Sequence, residues 1–120
     1  MKYILQMIVD ESAWQNLTPE EMQPMIDAME RYNDELRAGG AWVSGEGLDY
    51  SGNAKTVRVS DGQRTVTDGP YTPSGDQLGG LWIIQADSLD DAVSWAQRVP
   101  MTNGAIEARA LVPEDDGSEQ

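Results

Sequence analysis

The segment Leu81-Trp82-Ile83-Ile84 restricts the fold more than any other part of the chain, because its apolar residues occupy both sets of alternating positions. Successive side chains of a strand point to opposite faces of the sheet, so this pattern predicts a strand covered on both faces. The pair Gly79-Gly80 directly precedes the run and marks its beginning. We therefore expect a central strand over Leu81 to Ala86.

The first element has the same character. Lys2 to Val9 is rich in residues that favour strands. Tyr3 and Leu5 occupy one set of alternating positions, and Ile4 and Ile8 add apolar side chains to the other set. A second central strand is therefore predicted at the start of the chain.

A helix is predicted to begin after Thr18. Thr18-Pro19-Glu20-Glu21 combines an N-cap, a proline at the first helical position and a glutamate that closes a capping box. Gly39-Gly40 supplies its end, and Pro24 predicts a local bend. The apolar stripe formed by Met22, Met25, Ile26, Met29 and Leu36 predicts ordinary core, in preference to a methionine-lined groove.

The middle of the chain predicts a strand and a hairpin. Ala41 to Leu48 is predicted as a strand with a bulge or close backbone approach at Gly45-Glu46-Gly47. Asp61-Gly62 favours a two-residue hairpin between Lys55–Ser60 and Gln63–Thr67. This register places Val57 opposite Val66, and Arg58 opposite Thr65.

The last elements are a second helix and a strand. Ser88 is predicted to cap the helix and Pro100 to end it, and Ala105 to Val112 is predicted as the final strand. The helix residues expected to face inward are Ala92, Val93, Ala96 and Val99.

The order of strand, helix, strand, hairpin, strand, helix and strand predicts a ferredoxin-like α+β fold, with an antiparallel sheet, two helices on one face and an added β-hairpin. We interpret residues 1–113 as one domain and residues 114–120 as an acidic flexible tail. Two helices cover only one face of such a sheet, whereas the central strands are apolar on both, so the second face is expected to meet another copy in a homodimer.

Charge and composition exclude several classes of function. The chain has 21 acidic and 8 basic residues, a net charge of −13, which argues against nucleic acid and anionic membranes as partners. It contains no cysteine and no histidine, which excludes disulfides, thiolate metal sites and hydrolases built on Ser-His or Cys-His pairs. The N-terminus does not match a signal peptide and no apolar run is long enough for a membrane span, so a cytoplasmic location is expected.

Asp68-Gly69-Pro70-Tyr71 predicts a rigid corner, with Asp68 bonding forward to the backbone. The motifs Gly45-Glu46-Gly47-Leu48, Thr67-Asp68-Gly69-Pro70-Tyr71, Leu78-Gly79-Gly80 and Ile106-Glu107-Ala108-Arg109 together resemble the DGPF subgroup of the YCII-related proteins. Tyr71 stands where that subgroup usually has phenylalanine, and Thr72-Pro73-Ser74-Gly75 replaces a more charged segment.

This resemblance implies a dimeric α+β barrel, in which two sheets pack face to face around clefts. It also implies an association with extracytoplasmic-function sigma factors. Other members of the wider group are proposed to use a His-Asp pair, of which only Asp68 has a counterpart here, so that chemistry does not carry over.

Three kinds of site remain open. Asp68 and Glu46 are the candidate catalytic pair, because two close carboxylates raise one pKa and provide a proton-transfer group. The same carboxylates are candidates to hold a hard cation, but no spacing matches a calcium-binding loop, so no metal or other cofactor is predicted. An anionic ligand received by arginine beside aromatic rings is the third kind. The candidate ligand-binding residues are Gly69, Pro70, Tyr71, Trp82, Arg58 and Arg109, with Arg64 as a further candidate cation.

Two functions follow from these sites. We favour a dimeric small-ligand-binding or accessory protein without turnover, because histidine and cysteine are absent. The alternative is an enzyme of low activity that uses Asp68 with Glu46.

Overall fold

The computed structural model describes residues 1–113, and the acidic segment 114–120 lies outside the described residues. Short 3-10 helices occupy Glu11–Ala13 and Ser51–Asn53. The main elements are β1 (Lys2–Val9), α1 (Pro19–Ala38), β2 (Trp42–Gly47), β3 (Lys55–Ser60), β4 (Gln63–Asp68), β5 (Gln77–Gln85), α2 (Leu89–Ala96) and β6 (Ala105–Ala110).

Four strands form one antiparallel sheet in the order β2-β5-β1-β6, and β3 and β4 form a separate two-stranded sheet. The two central strands are β1 and β5. These are the strands whose sequences have apolar residues at both sets of alternating positions. This arrangement is a ferredoxin-like α+β fold with an added hairpin, which confirms the predicted fold class.

Both helices cover the same face of the four-stranded sheet. Leu5 of β1 and Ile84 of β5 are fully buried on this face, where they belong to one core with Leu36 of α1 and Ala92 of α2. On the opposite face, the side chains of β1 and β5 are only partly buried. Burial therefore alternates along the central strands although their apolar character does not.

The boundaries of α1 agree with the prediction. The Thr18 hydroxyl accepts a hydrogen bond from the Glu21 N–H at 3.1 Å, and the Glu21 carboxylate accepts one from the Thr18 N–H at 2.9 Å. Both halves of the capping box are therefore present, and the helix ends at Ala38 just before the glycine pair.

The hairpin also has its predicted register, with Val57 opposite Val66 and Arg58 opposite Thr65. Asp61 and Gly62 have φ values of 51° and 79°, as a type I′ turn requires. Neither β3 nor β4 packs substantially against another helix or strand. The hairpin therefore projects from the body of the domain.

Several details differ from the sequence prediction. The strand predicted from Leu81 begins four residues earlier, at Gln77, because pairing with the end of β1 continues past a bulge at Gly79. The bulge in β2 lies between Trp42 and Ser44, upstream of Gly45-Glu46-Gly47. The alternative prediction for that segment, a close backbone approach, agrees with the structure, because a Cβ on Gly80 would lie 3.1 Å from the Glu46 carbonyl oxygen.

The second helix also differs from the prediction. It is capped by Ser88 as expected but ends at Ala96, well before Pro100. Val93, which was predicted to face the core, is 40% exposed. The short helix packs on the sheet mainly through Ala92, so Val93 lies at the solvent-exposed edge of the helix.

Candidate functional site

A cavity of about 480 Å³ lies between the first half of α1 and the end of the sheet where β2 finishes and β5 begins. Leu48 and Tyr50, on the connection that follows β2, also line it. The lining is mostly apolar, and the volume falls within the roughly 300–1,000 Å³ that small-molecule sites occupy. This cavity is the candidate functional site.

Four glycines form the side of the cavity that the sheet provides: Gly45 and Gly47 of β2, and Gly79 and Gly80 of β5. Gly47 and Gly80 are directly paired across the two strands. A Cβ atom added to Gly47 would meet no other atom within 4 Å. Space is therefore left at Gly47, whereas at Gly45 and Gly79 other side chains already occupy the position of the missing Cβ.

Methionines form the opposite side. Met22, Met25, Ile26 and Met29 on the first half of α1 all line the cavity, and Ile26 is 44% exposed. The prediction of ordinary core is confirmed at Leu36, which is fully buried, and is wrong at Ile26. Methionine is flexible and polarizable, so this lining can adapt to ligands of different shape.

Trp82 forms a fixed wall. Its indole N–H donates a hydrogen bond to Asn33 Oδ1 at 2.8 Å, and its ring contacts the Tyr32 ring edge to face at a centroid distance of 5.2 Å. The Tyr32 hydroxyl donates to the Trp95 carbonyl at 2.8 Å. Burial raises the pKa of Tyr32 well above its usual range, so this hydroxyl remains a donor. The chain of contacts holds the indole in one orientation.

Glu11 anchors the segment that closes the cavity. Its carboxylate is buried and accepts hydrogen bonds from the Ser51 N–H at 2.9 Å and the Ser51 hydroxyl at 2.5 Å. Asp49 accepts a bond from the Tyr50 N–H at 2.8 Å within the same segment. These bonds position Tyr50 at the cavity without any ion pair.

Of the two predicted catalytic carboxylates, only Glu46 belongs to the lining of the cavity. Asp68 is the last residue of β4, and its side chain is 86% exposed. It forms an ion pair with Lys55 on the adjacent strand, in place of the predicted hydrogen bond to the backbone of the corner. Glu46 belongs to the segment that lines the cavity, whereas Asp68 does not. Glu46 pairs with Leu81, so its side chain lies on the sheet face opposite that of Trp82.

The predicted ligand-binding residues divide between several places. Trp82 lines the cavity, whereas Gly69-Pro70-Tyr71 follows the hairpin and lies outside it. The Arg58 guanidinium lies over the Tyr71 ring at 5.1 Å from its centroid. Arg109 forms an ion pair with Glu107 at 2.7 Å on β6. Arg58 and Tyr71 are therefore brought together, but away from Trp82.

Sequence reasoning missed the cavity although its signal was present. Gly45-Glu46-Gly47 and Gly79-Gly80 are visible in the sequence, and the structure places them on neighbouring strands at one end of the sheet. Glu11 gave no signal, because its partner Ser51 is forty residues away.

Two further properties bear on function. Within residues 1–113, no three Asp or Glu side chains are grouped closely enough to hold a metal ion. No helix in this part of the chain has the length and apolar character needed to cross a membrane.

The fold and cavity define a ferredoxin-like α+β protein with an apolar ligand-sized site beneath its first helix. The chain matches the YCII-related domain over residues 1–115 and belongs to that family. It is also similar to an uncharacterized protein of Rhizobium meliloti, with 31% identity over 103 residues that cover 83% of this chain and 81% of the relative.

Proposed function

We propose that this protein is a homodimeric small-ligand-binding or accessory protein whose ligand occupies the cavity beneath α1. The observation that carries the proposal is the cavity itself, a space of about 480 Å³ between glycines and methionines. Trp82 and the anchored segment at Tyr50 give this space fixed walls, while the methionines provide an adaptable one. A preformed apolar site of this kind suits binding without turnover.

The alternative is a low-activity enzyme that uses Asp68 with Glu46. A proton-transfer pair requires the two carboxylates to share one enclosed site, because only then does each shift the pKa of the other. Asp68 is paired with Lys55 and largely exposed. The binding role is therefore the better supported of the two.

The neutral fluorescent compound N-phenyl-1-naphthylamine tests whether the cavity binds ligands, since its emission rises in apolar surroundings. Gly47→Leu places a side chain into the open space above Gly47 and should abolish the rise. Gly52→Leu is the matched control, because Gly52 is also unobstructed but does not line the cavity. Circular dichroism should show that both variants remain folded.

Loss of the signal in Gly47→Leu alone supports the proposal. An equal signal from wild type and folded Gly47→Leu would show that the probe binds elsewhere, and no signal from wild type would contradict the proposed site.

The homodimer is proposed from two partly uncovered apolar surfaces. The first is the sheet face away from the helices, to which Ile4, Ile8, Leu81 and Ile83 contribute partly exposed side chains. The second is the projecting hairpin, which has an apolar face and, among the described residues, packs substantially against no other helix or strand. Its three valines, Val57, Val59 and Val66, are 56%, 58% and 65% exposed. An isolated hairpin is marginally stable in water, so contact with a second copy would stabilise it.

Light scattering should give about twice the mass of a 13.2 kDa chain at micromolar concentration, since a stable interface should bury more than about 1,000 Å². Ile83→Asp places a charge on the uncovered sheet face and should yield a folded monomer. Val93→Asp, the same type of change on the exposed side of α2, should leave the dimer intact. Wild-type protein that remains monomeric would exclude the proposed assembly.

The wider context extends the same proposal. The Thr67-Asp68-Gly69-Pro70-Tyr71 motif supports membership of the DGPF subgroup, and its association with extracytoplasmic-function sigma factors suggests a cytoplasmic accessory role in signalling. Fractionation of cells that produce a tagged protein would test the location, and co-purification of a sigma factor would test the partner.

A further inference from the structure

The charged residues that line the cavity are all acidic. The ionisable residues that line it, other than Tyr50, are the acids Glu30, Glu46 and Asp49, and none of the described Lys or Arg residues is among them. The Glu46 side chain lies on the other face of the sheet, so Glu30 and Asp49 remain as the acids to consider. Of these acids, Glu30 is on α1 one turn before Asn33, which holds the Trp82 indole. Glu30 is exposed to solvent and also lines the mostly apolar cavity.

Within the described residues, neither Glu30 nor Asp27, one turn earlier on α1, has an ion-pair partner. Two other acids of α1 are paired: Asp34 with Arg37 at 3.1 Å, and Glu35 with Arg98 at 2.5 Å. Within residues 1–113, no Lys or Arg lies within ion-pair distance of Glu30. Arg37 and Arg98 also contact aromatic rings. Arg31 is next to Glu30 in the sequence, but adjacent residues of a helix do not face each other, and the two form no ion pair.

The Arg37 guanidinium lies 4.1 Å from the centroid of the Trp42 ring, and that of Arg98 lies 4.3 Å from the centroid of the Trp95 ring. Each arginine therefore has both a carboxylate and an aromatic partner.

The field of the whole domain has the same sign. Four acids, Glu114, Asp115, Asp116 and Glu119, lie after Pro113, which leaves 21 − 4 = 17 acidic and 8 basic residues, or a charge of −9, on residues 1–113. A negative potential attracts cationic ligands and repels anionic ones. The aromatic residues Trp14, Tyr50 and Trp82 in the lining are compatible with a cation near their rings.

We propose that the cavity binds a lipophilic amine or ammonium compound, with its apolar body between the α1 methionines and the sheet glycines and its cationic head beside Glu30. This inference rests on the proposed ligand-binding function and specifies its ligand class. The head remains beside the solvent-exposed Glu30, so binding does not require a charge to be buried. The apolar body alone enters the cavity.

Isothermal titration calorimetry at low salt with three compounds of one shape tests the inference. They are 2-naphthylmethylamine, which is a cation at neutral pH, the neutral 2-naphthylmethanol and the anion 2-naphthoate. The amine should bind most tightly and the anion most weakly, and added salt should narrow the difference. Glu30→Gln should weaken the amine about fivefold, as expected for removing one charge about 4 Å away in water, and should leave the alcohol unchanged.

Asp27→Asn is the matched control. It removes the same charge from the same helix, retains an oxygen to accept the bond from Gln23, and does not line the cavity, so affinity for the amine should not change. If the alcohol or the anion binds as tightly as the amine, the inference about charge is wrong while ligand binding stands. Equal weakening of amine and alcohol by Glu30→Gln would also overturn it. If none of the three compounds binds, the proposed site itself fails.

Discussion

Replacing Gly45 with alanine tests whether the cavity walls are packed as described. A Cβ atom at this position would lie 2.8 Å from Trp82 Cδ1 and 2.9 Å from Trp42 Cη2. Carbon atoms pack best at about 3.5–4.0 Å, so the rings would have to move apart by several tenths of an ångström. The hydrogen bond to Asn33 and the contact with Tyr32 hold Trp82 against that movement.

The expected magnitude combines two opposing effects. Overpacking by one methyl group costs about 1–3 kcal/mol, whereas replacing glycine by alanine restricts the unfolded chain and stabilises by about 0.4–1 kcal/mol. The net result for Gly45→Ala should be a loss of about 1–2 kcal/mol in the free energy of unfolding. For a domain of this size, each kcal/mol corresponds to a shift of about 3–6 °C in Tm.

Gly47→Ala is the control within the same strand. A Cβ at Gly47 meets nothing within 4 Å, so only the effect on the unfolded chain applies and stability should stay level or rise slightly. Urea unfolding followed by circular dichroism at matched protein concentrations measures both variants. A Gly45→Ala protein as stable as the Gly47→Ala protein would refute the packing described for Trp82 and Trp42.

Two further predictions concern Tyr32 and Asp68. Tyr32→Phe removes the bond to the Trp95 carbonyl and should cost about 1 kcal/mol at neutral pH. Because burial raises the folded-state pKa of Tyr32, its contribution is complete below the unfolded value of about 10 and declines as pH rises above that value. Melting temperatures from about pH 9 to about pH 11 should therefore fall more steeply for wild type than for Tyr32→Phe, and parallel curves would contradict this. Asp68→Asn removes only an exposed ion pair with Lys55, so stability should change by less than about 1 kcal/mol; a larger loss in thermal unfolding would show that Asp68 has a structural role beyond that pair.

Local chemistry made much of the fold predictable. The capping box at Thr18 and the Asp61-Gly62 turn are encoded by neighbouring residues, so the start of α1 and the hairpin register could be inferred from the sequence. The apolar runs in β1 and β5 likewise identified the central strands, because a strand flanked on both sides tolerates few polar residues.

The candidate site was less predictable because it depends on residues that are distant in sequence. The methionine stripe of α1 has the same periodicity whether it packs in a core or lines a cavity. Its role is decided by what faces it, namely glycines contributed by β2 and β5. For Asp68 and Glu46 the residue types predicted a site that the fold does not assemble in the cavity. Both carboxylates suited a proton-transfer pair, but Asp68 ends a strand of the hairpin, does not line the cavity and pairs with Lys55.

The sequence by itself determined the order of the elements, the caps, the turn and the acidic character, since these depend on composition and on contacts between near neighbours. Only the tertiary structure decided where the cavity forms. Side-chain volume missing at Gly47 and Gly80 becomes a cavity only when strand pairing places the two glycines together beneath α1. Glu11 reaches Ser51 for the same reason, because folding brings together groups whose separation along the chain gives no local signal.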